Sequence, residues 1–347
     1  MEFGIFTGFN TRDGHTEAEA FDEWLNIAHV AEDIGIDCFW LAEFHFRPRT
    51  ILSAPIVAAS AIAAQTKRMK VGMAVQLLPL ANPIRVAEEA ATVDHLSKGR
   101  FVFGVGRSSF VDAYRGYGVD YAESRPMFFE ALEVIRRAWG EEPFSFEGQY
   151  FQFHNVNVVP KPYQRPHPQI RIACESKDTF ALMGKLGFPI FIRHQMDVPV
   201  LQELLKHYEK ERHATGSPGP NDVILQVPAY LAESAEQARA DTEAGIISER
   251  QRAIEFAKNT GDEEAYQRLT RASGLSYEDL VQRPGLGVYP NPNLFGTPEM
   301  VVDILQEYQE TMGVTGVSLA MNPGLISEEK ILNSMRLLGE MVIPKLK

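Results

Sequence analysis

The stretch Asp94-His95-Leu96-Ser97-Lys98-Gly99-Arg100-Phe101-Val102-Phe103-Gly104-Val105-Gly106-Arg107 decides the fold. A helical segment rich in Ala and Glu runs into Lys98-Gly99, and glycine ends helices because it enters the left-handed region without a Cβ clash. The apolar run Phe101–Val105 follows at once and breaks at Gly106, as a strand buried on both faces does. Helix, glycine stop and buried strand form the repeating module of an α/β protein. Arg107 then falls just past the carboxyl end of that strand, where such folds place their ligands.

The module recurs along the chain. Strand-like runs at Phe3–Gly8, Asp37–Leu41, Met69–Leu77, Phe101–Val105, Gln169–Cys174, Pro189–Ile192, Val223–Leu231 and Val314–Ala320 alternate with helical spacing. The helices are expected at Glu17–Ile34, Pro55–Gln65, Pro83–Leu96, Ser124–Trp139, Ser176–Leu186, Val200–Ala214, Ser234–Lys258, Thr297–Met312 and Ser327–Ile343. Eight such strands in 347 residues favour a single α/β domain over 1–347, a (β/α)8 TIM barrel, above an open doubly wound sheet. Two segments fit neither period and read as insertions. Pro143–Val159, rich in aromatics, is expected to be a hairpin or irregular excursion; polar Thr260–Leu294 is expected to form a lid.

Composition narrows the function. With 45% hydrophobic and 23% charged residues the chain reads as an ordinary soluble globular protein. A net charge of −12 argues against nucleic acid as partner. No apolar run approaches the roughly 20 residues that span a bilayer. Met1 leads directly into a strand-like run, so no signal peptide is expected. Cys38 and Cys174 both lie in apolar runs and read as buried free thiols, which fits a cytoplasmic location.

In a barrel the residues just after each strand share one face. Here they include Glu43, Phe44 and His45, then Ala74, Val75 and Gln76, then Arg107 and Ser108, then Glu175 and Ser176, then Arg193 and His194, and Asn322 last. Ser176-Lys177-Asp178-Thr179 opens a helix, whose free N–H groups and dipole suit an anion. Arg107 and Arg125 could add guanidinium groups, completing a phosphate site. The plainer reading makes Ser176 an N-cap and both arginines surface ion pairs. His45 is either an acid–base group or a packed core ring, and Glu43 either a base or the group that orients its neighbours. Gly104-Val105-Gly106 falls short of a dinucleotide loop, and no Walker, HExxH, CxxC or Gly-x-Ser-x-Gly pattern is present, so no metal site is expected. Glu43 and Glu175, both at strand ends, keep a glycosidase open as a competitor.

Several stretches together resemble the bacterial luciferase-like family of flavin-dependent monooxygenases, its alkanal monooxygenase α chains above all. They are Phe39-Trp-Leu-Ala-Glu-Phe-His-Phe46, Val71-Gly-Met-Ala-Val75 with Leu78-Pro79, and Asp94-x-Leu-Ser-Lys-Gly-Arg-Phe-x-Phe-Gly104. Ala173-x-Glu175-Ser176, Gly187-x-Pro189 and Gly296-Thr-Pro-Glu299 extend the likeness over nearly the whole chain. The resemblance implies a (β/α)8 barrel that binds reduced FMN non-covalently. It assigns phosphate contacts to Arg107, Arg125, Ser176 and Thr179, with backbone amides from Glu175 and Ser176. It places a non-prolyl cis peptide, Ala74–Val75, under the flavin ring, with Gly106 beside it. The implied chemistry is oxidation of a small, moderately apolar substrate by dioxygen through a flavin hydroperoxide. No nicotinamide fingerprint is visible, so a separate reductase is expected to supply the reduced flavin.

Two departures from the family pattern stand out. Phe44 replaces the catalytic His of the light-emitting members, which argues against efficient light emission and leaves His45 as a substitute base. Gly106 replaces a reactive Cys and is expected to leave more room beside the flavin. Phe44, Phe46, Phe110, Phe191 and His194 are then expected to shape an apolar substrate cavity. The resemblance also implies a homo- or heterodimer through the helices Pro55–Gln65 and Pro83–Leu96. The alternatives are a deazaflavin-dependent oxidoreductase of the same superfamily and a flavin-binding protein without turnover.

Overall fold

The computed structural model describes residues 1–193, 198–216, 221–260, 293–323 and 325–347, with residues 263, 266, 267 and 270 as isolated positions. In chain order the principal elements are β1 (Glu2–Thr7), α1 (Glu17–Asp33), β2 (Cys38–Leu41), α2 (Pro55–Gln65), β3 (Lys70–Met73), β4 (Gln76–Leu77), α3 (Pro83–Leu96) and β5 (Phe101–Gly106). There follow α4 (Val111–Tyr117), α5 (Ser124–Ala138), β6 (Phe144–Glu147), β7 (Gln152–Val156), β8 (Gln169–Ala173), α6 (Lys177–Leu186), β9 (Ile190–Arg193) and α7 (Val198–Ala214). The last are β10 (Val223–Leu231), α8 (Ala235–Thr260), β11 (Leu294–Gly296), α9 (Pro298–Met312), β12 (Gly316–Ala320) and α10 (Glu328–Leu337).

Contacts divide the chain into two compact units. The first holds residues 7–9 and 37–173; the second holds 1–6, 10–36 and 174–347. In the first unit β2, β3, β5 and β8 pair in parallel, with Trp40 opposite Gly72, Val71 opposite Phe101 and Val102 opposite Gln169. Trp40 is fully buried and lies across Gly72, where a Cβ would stand 2.1 Å from its ring. The opening stretch behaves as read. α3 ends with Lys98 and Gly99 both at positive φ, and the Gly99 N–H donates to the Asp94 carbonyl at 2.9 Å. Arg100 then turns back to the carboxyl end of α2, donating to the carbonyls of Ala63, Thr66 and Met69 and to the Thr66 hydroxyl. One guanidinium thus satisfies carbonyls that a helix end leaves unpaired.

The expected third strand, Met69–Leu77, is not continuous. β3 stops at Met73, the Ala74–Val75 peptide is cis, and β4 resumes beside β5 with Gln76 opposite Val105 and Leu77 opposite Gly106. The alternation of Met69, Val71, Met73, Val75 and Leu77 runs on through the break, because period alone cannot report a change of backbone direction. The aromatic excursion is a hairpin, β6 antiparallel to β7. Glu130 of α5 accepts the N–H groups of Gln149, Tyr150 and Phe151 at its turn. The short helix α4 was missed.

In the second unit β9, β10, β12 and β1 pair in parallel, with Val223 opposite Ile190, Ile224 opposite Gly316 and Gly316 opposite Glu2. A short unexpected strand, β11, adds to β10. Four parallel strands in each unit, alternating with helices, give the α/β, (β/α)8 barrel class expected from the sequence. The expected lid, 260–294, lies almost wholly outside the described residues. Among the described residues no helix is long and apolar enough to cross a membrane.

Helices α6 and α7 meet at Gly184, where a Cβ would come 2.2 Å from the backbone carbonyl oxygen of Tyr208. Gly184→Ala gains about 1 kcal/mol of helix propensity. It also forces the two backbones apart, and overpacking at the upper end of the usual ~1–3 kcal/mol outweighs that gain. Chemical denaturation is expected to show a net loss of about 2 kcal/mol; an unchanged midpoint would show that α7 moves aside freely.

Candidate active site

The loop after β2 is held by main-chain bonds before any side chain acts. The Ala42 N–H donates to the Thr7 carbonyl at 2.9 Å, Phe44 N–H to Leu52 at 3.0 Å, and Leu52 N–H to Gly8 at 3.0 Å. This frame presents Glu43, Phe44 and His45 in sequence. The Phe44 ring lies against Gly8, where a Cβ would stand 2.6 Å from it, and its centroid is 5.9 Å from that of Phe110. Arg47 in turn stacks its guanidinium 4.1 Å from the Phe110 centroid. Phe44 and Phe110 therefore form one aromatic wall. Phe46 stands 60% exposed at positive φ, over Gly116, so it is a surface ring and not an enclosed one.

Glu43 is the hub of this unit's polar network. Its Oε1 lies 2.7 Å from His45 Nε2. Its Oε2 accepts from Gln76 Nε2 at 2.6 Å and from the Leu77 N–H at 2.8 Å. Burial pushes the carboxyl up from its ordinary value, and the bonds from His45 and the Leu77 amide pull it back. Of the two sequence readings of Glu43, orientation of neighbours is the one its contacts match. His45 Nδ1 faces the Tyr117 hydroxyl at 3.3 Å, and the two rings meet edge to face at 4.8 Å.

Beyond Glu43 the backbone turns through the cis peptide Ala74–Val75, as the resemblance implied. The expectation that Gly106 leaves open room is corrected. A Cβ there would stand 2.6 Å from Val75 Cγ2 and 3.3 Å from Ala173 Cβ, so the missing side chain is filled by Val75. Gly106 is needed for that close approach. Arg107 follows, its Nη1 donating to Ser124 Oγ at 2.8 Å, at the start of α5, and its guanidinium 5.7 Å from the Tyr121 centroid. The Tyr114 hydroxyl donates to the Arg107 carbonyl. Arg125 is the next residue after Ser124. Neither guanidinium pairs with a carboxylate among the described residues. The described residues therefore offer these two arginines no partner for the surface ion-pair reading.

The second unit carries the remaining candidates. Glu175 forms an ion pair with Arg193, which leaves its main-chain amide as the group available to a ligand. Ser176 occupies the N-cap of α6 but makes no side-chain cap; its Oγ bonds Thr179 Oγ1 at 2.8 Å. The plain N-cap reading is thereby corrected, since a hydroxyl turned to Thr179 leaves the first amides of α6 without it. Phe191 is buried in β9, and its carbonyl accepts the Cys174 N–H at 2.9 Å. Cys174 is buried, and burial pushes its thiol up, away from reactivity. Asn322, after β12, keeps both amide atoms buried without a hydrogen-bond partner. His194 lies outside the described residues. Among the described residues no group of three or more His, Cys, Asp or Glu could hold a metal ion.

Tyr117, Ser124 and the Leu77 amide were missed as parts of the site. Phe110, Tyr114 and Tyr117 recur at i, i+4 and i+7, one helical face, which is the signal that could have found α4.

The luciferase-like monooxygenase family model matches residues 1–315. The chain is similar to the alkanal monooxygenase alpha chain of Photorhabdus luminescens, 24% identical, covering 100% of this chain and 97% of that one. Among solved structures it is similar to the monooxygenase RslO1 of Streptomyces bottropensis, with TM-score 0.84, 26% identity and full coverage of both chains. The oxygenating constituent of 3,6-diketocamphane monooxygenase of Pseudomonas putida, solved with FMN, gives TM-score 0.82 at 20% identity, covering 100% of this chain and 99% of that one. An F420-dependent secondary alcohol dehydrogenase shares the fold at TM-score 0.76 and 16% identity, covering 100% of this chain and 99% of that one. With a family match over residues 1–315, the chain belongs to the luciferase-like monooxygenase family of enzymes.

Proposed function

We propose that the protein is the oxygenase of a two-component system, using reduced FMN and dioxygen to oxidise a small, moderately apolar molecule. The observation that carries this reading is Arg107, just past β5, bonded to Ser124 at the start of α5, where Arg125 is the next residue, neither arginine having a carboxylate partner among the described residues. Unneutralised guanidinium groups at a helix start suit a dianionic phosphate ester. The residues proposed to hold FMN are Ala74, Val75, Gly106, Arg107, Arg125, Glu175, Ser176 and Thr179. When bound, the flavin supplies the electrons that activate dioxygen. The protein's part is to bind, orient and exclude water, and Phe44, Phe110 and Phe191 offer apolar surface for that. The family match runs across both units, which supports one catalytic domain. The oxygenating constituent from Pseudomonas putida supports a separate reductase. A dimer, of identical or different chains, through α2 and α3 belongs to the same proposal.

The likeness to an F420-dependent enzyme favours one second reading, hydride transfer with a deazaflavin. Absorbance spectra after mixing the purified protein with FMN or with a deazaflavin separate the two: retention of FMN alone supports the oxygenase. The glycosidase reading has no support, since Glu43 and Glu175 are both engaged by other groups.

Arg107→Ala removes one charged contact, about 1.5–3 kcal/mol, and is expected to weaken FMN binding roughly 10- to 150-fold in flavin-fluorescence quenching. Unchanged affinity would take Arg107 out of the site. Dioxygen uptake with reduced FMN over a panel of small apolar substrates is expected to rise with at least one of them. Uptake that no substrate raises or couples to product would leave a flavin-binding protein without turnover.

A further inference from the structure

Both ring nitrogens of His45 are already engaged. Nε2 faces Glu43 at 2.7 Å and Nδ1 faces Tyr117 at 3.3 Å, and the residue is only 8% exposed. A carboxylate accepts and does not donate, so ionised Glu43 fixes the proton on Nε2 and leaves Nδ1 as an acceptor. The hydroxyl on that acceptor belongs to Tyr117, which is 49% exposed. Beside it Phe46, 60% exposed, sets its ring 6.0 Å from the Tyr117 ring. It keeps that place because residue 116 is glycine: a Cβ there would come 2.0 Å from the Phe46 ring.

We propose that Tyr117, and not His45, is the group through which this loop exchanges protons with a bound ligand, His45 acting behind it as relay and Glu43 as positioning residue. The step balances without any oxidant. Tyr117 passes its phenolic proton to His45 Nδ1 and takes one from a ligand O–H or N–H. The imidazolium so formed is held against the Glu43 carboxylate, which stays ionised; the reverse sequence delivers a proton. This is the logic by which a buried carboxylate holds an imidazole behind a hydroxyl. The groups facing His45 are Glu43 on its own loop and Tyr117 on α4. Glu89 acts on Glu43, and Glu43 on Tyr114, from further off. Burial first, then the Glu43 charge, push the Tyr117 hydroxyl up, so the phenol gives up its proton only as it gains one from the ligand. The apolar face of Phe46 beside that hydroxyl suits a ligand with an oxygen or nitrogen function on an apolar body. The proposal rests on the flavin reading only for the identity of the bound ligand.

Histidine-15N NMR on the full chain tests it, with the His45 signals assigned by their loss in His45→Gln. The neutral ring is expected as the Nε2–H tautomer. Tyr117→Phe, which keeps the ring and removes only the hydroxyl, is expected to shift the Nδ1 resonance toward that of an unbonded nitrogen. An Nδ1–H tautomer, or an Nδ1 signal indifferent to Tyr117→Phe, overturns the relay. The second arm follows return of the flavin absorbance after reduced FMN bound to the protein meets dioxygen. Tyr117→Phe and His45→Gln are both expected to slow it about tenfold or more and to remove the same limb of its pH profile. A wild-type rate and profile in Tyr117→Phe overturns the assignment of Tyr117 even if the NMR relay is present. Failure of the wild-type chain to bind FMN at all sinks the flavin reading instead, and the relay then stands or falls on the NMR.

Discussion

The Glu43 carboxylate is the contact on which the first unit's site depends. Taking a carboxylate out of water costs several kcal/mol unless its oxygens are matched by donors. Here one oxygen meets His45 and the other meets Gln76 and the Leu77 amide. The consequence reaches beyond the loop that carries it. Gln76 and Leu77 form β4, β4 pairs with Val105 and Gly106, and Gly106 leads directly into Arg107. A single buried carboxylate therefore ties the loop after β2 to the strand that delivers Arg107.

Close approaches made possible by missing side chains complete the arrangement. Val75 fills the space beside Gly106, Trp40 lies across Gly72, and Phe46 rests on Gly116. The first of these sits at the cis peptide, so the turn after β3 and the end of β5 are fitted to one another. The family position that carries a thiol elsewhere is here a packing contact. Phe44 is likewise a wall, stacked toward Phe110, and offers no proton. In the proposed relay the acid–base groups are Glu43 and His45 of this loop and Tyr117 of α4.

The sequence made the (β/α)8 alternation legible because buried strands are apolar runs and the helices between them carry capping and glycine signals, as at Lys98-Gly99. It also pointed to Glu43, His45 and Arg107, since the residue after a barrel strand has a known place. What it could not show is where side chains turn. Ser176 has the identity of an N-cap, yet its hydroxyl turns to Thr179. Gly106 looked like open space and is filled from across the sheet. Tyr117 carries no motif, and its importance comes from a contact with a residue far away in sequence. Spacing at i, i+4 and i+7 could have revealed its helix, but not the histidine it meets.

The central claim is that this protein grips the phosphate of a flavin nucleotide with groups it leaves unneutralised. Equilibrium binding of FMN and of riboflavin to the full chain tests this most directly, because the two ligands differ by that phosphate alone. Two charged contacts at about 1.5–3 kcal/mol each predict that FMN binds at least about a hundredfold more tightly than riboflavin. Equal affinities for the two would contradict the account.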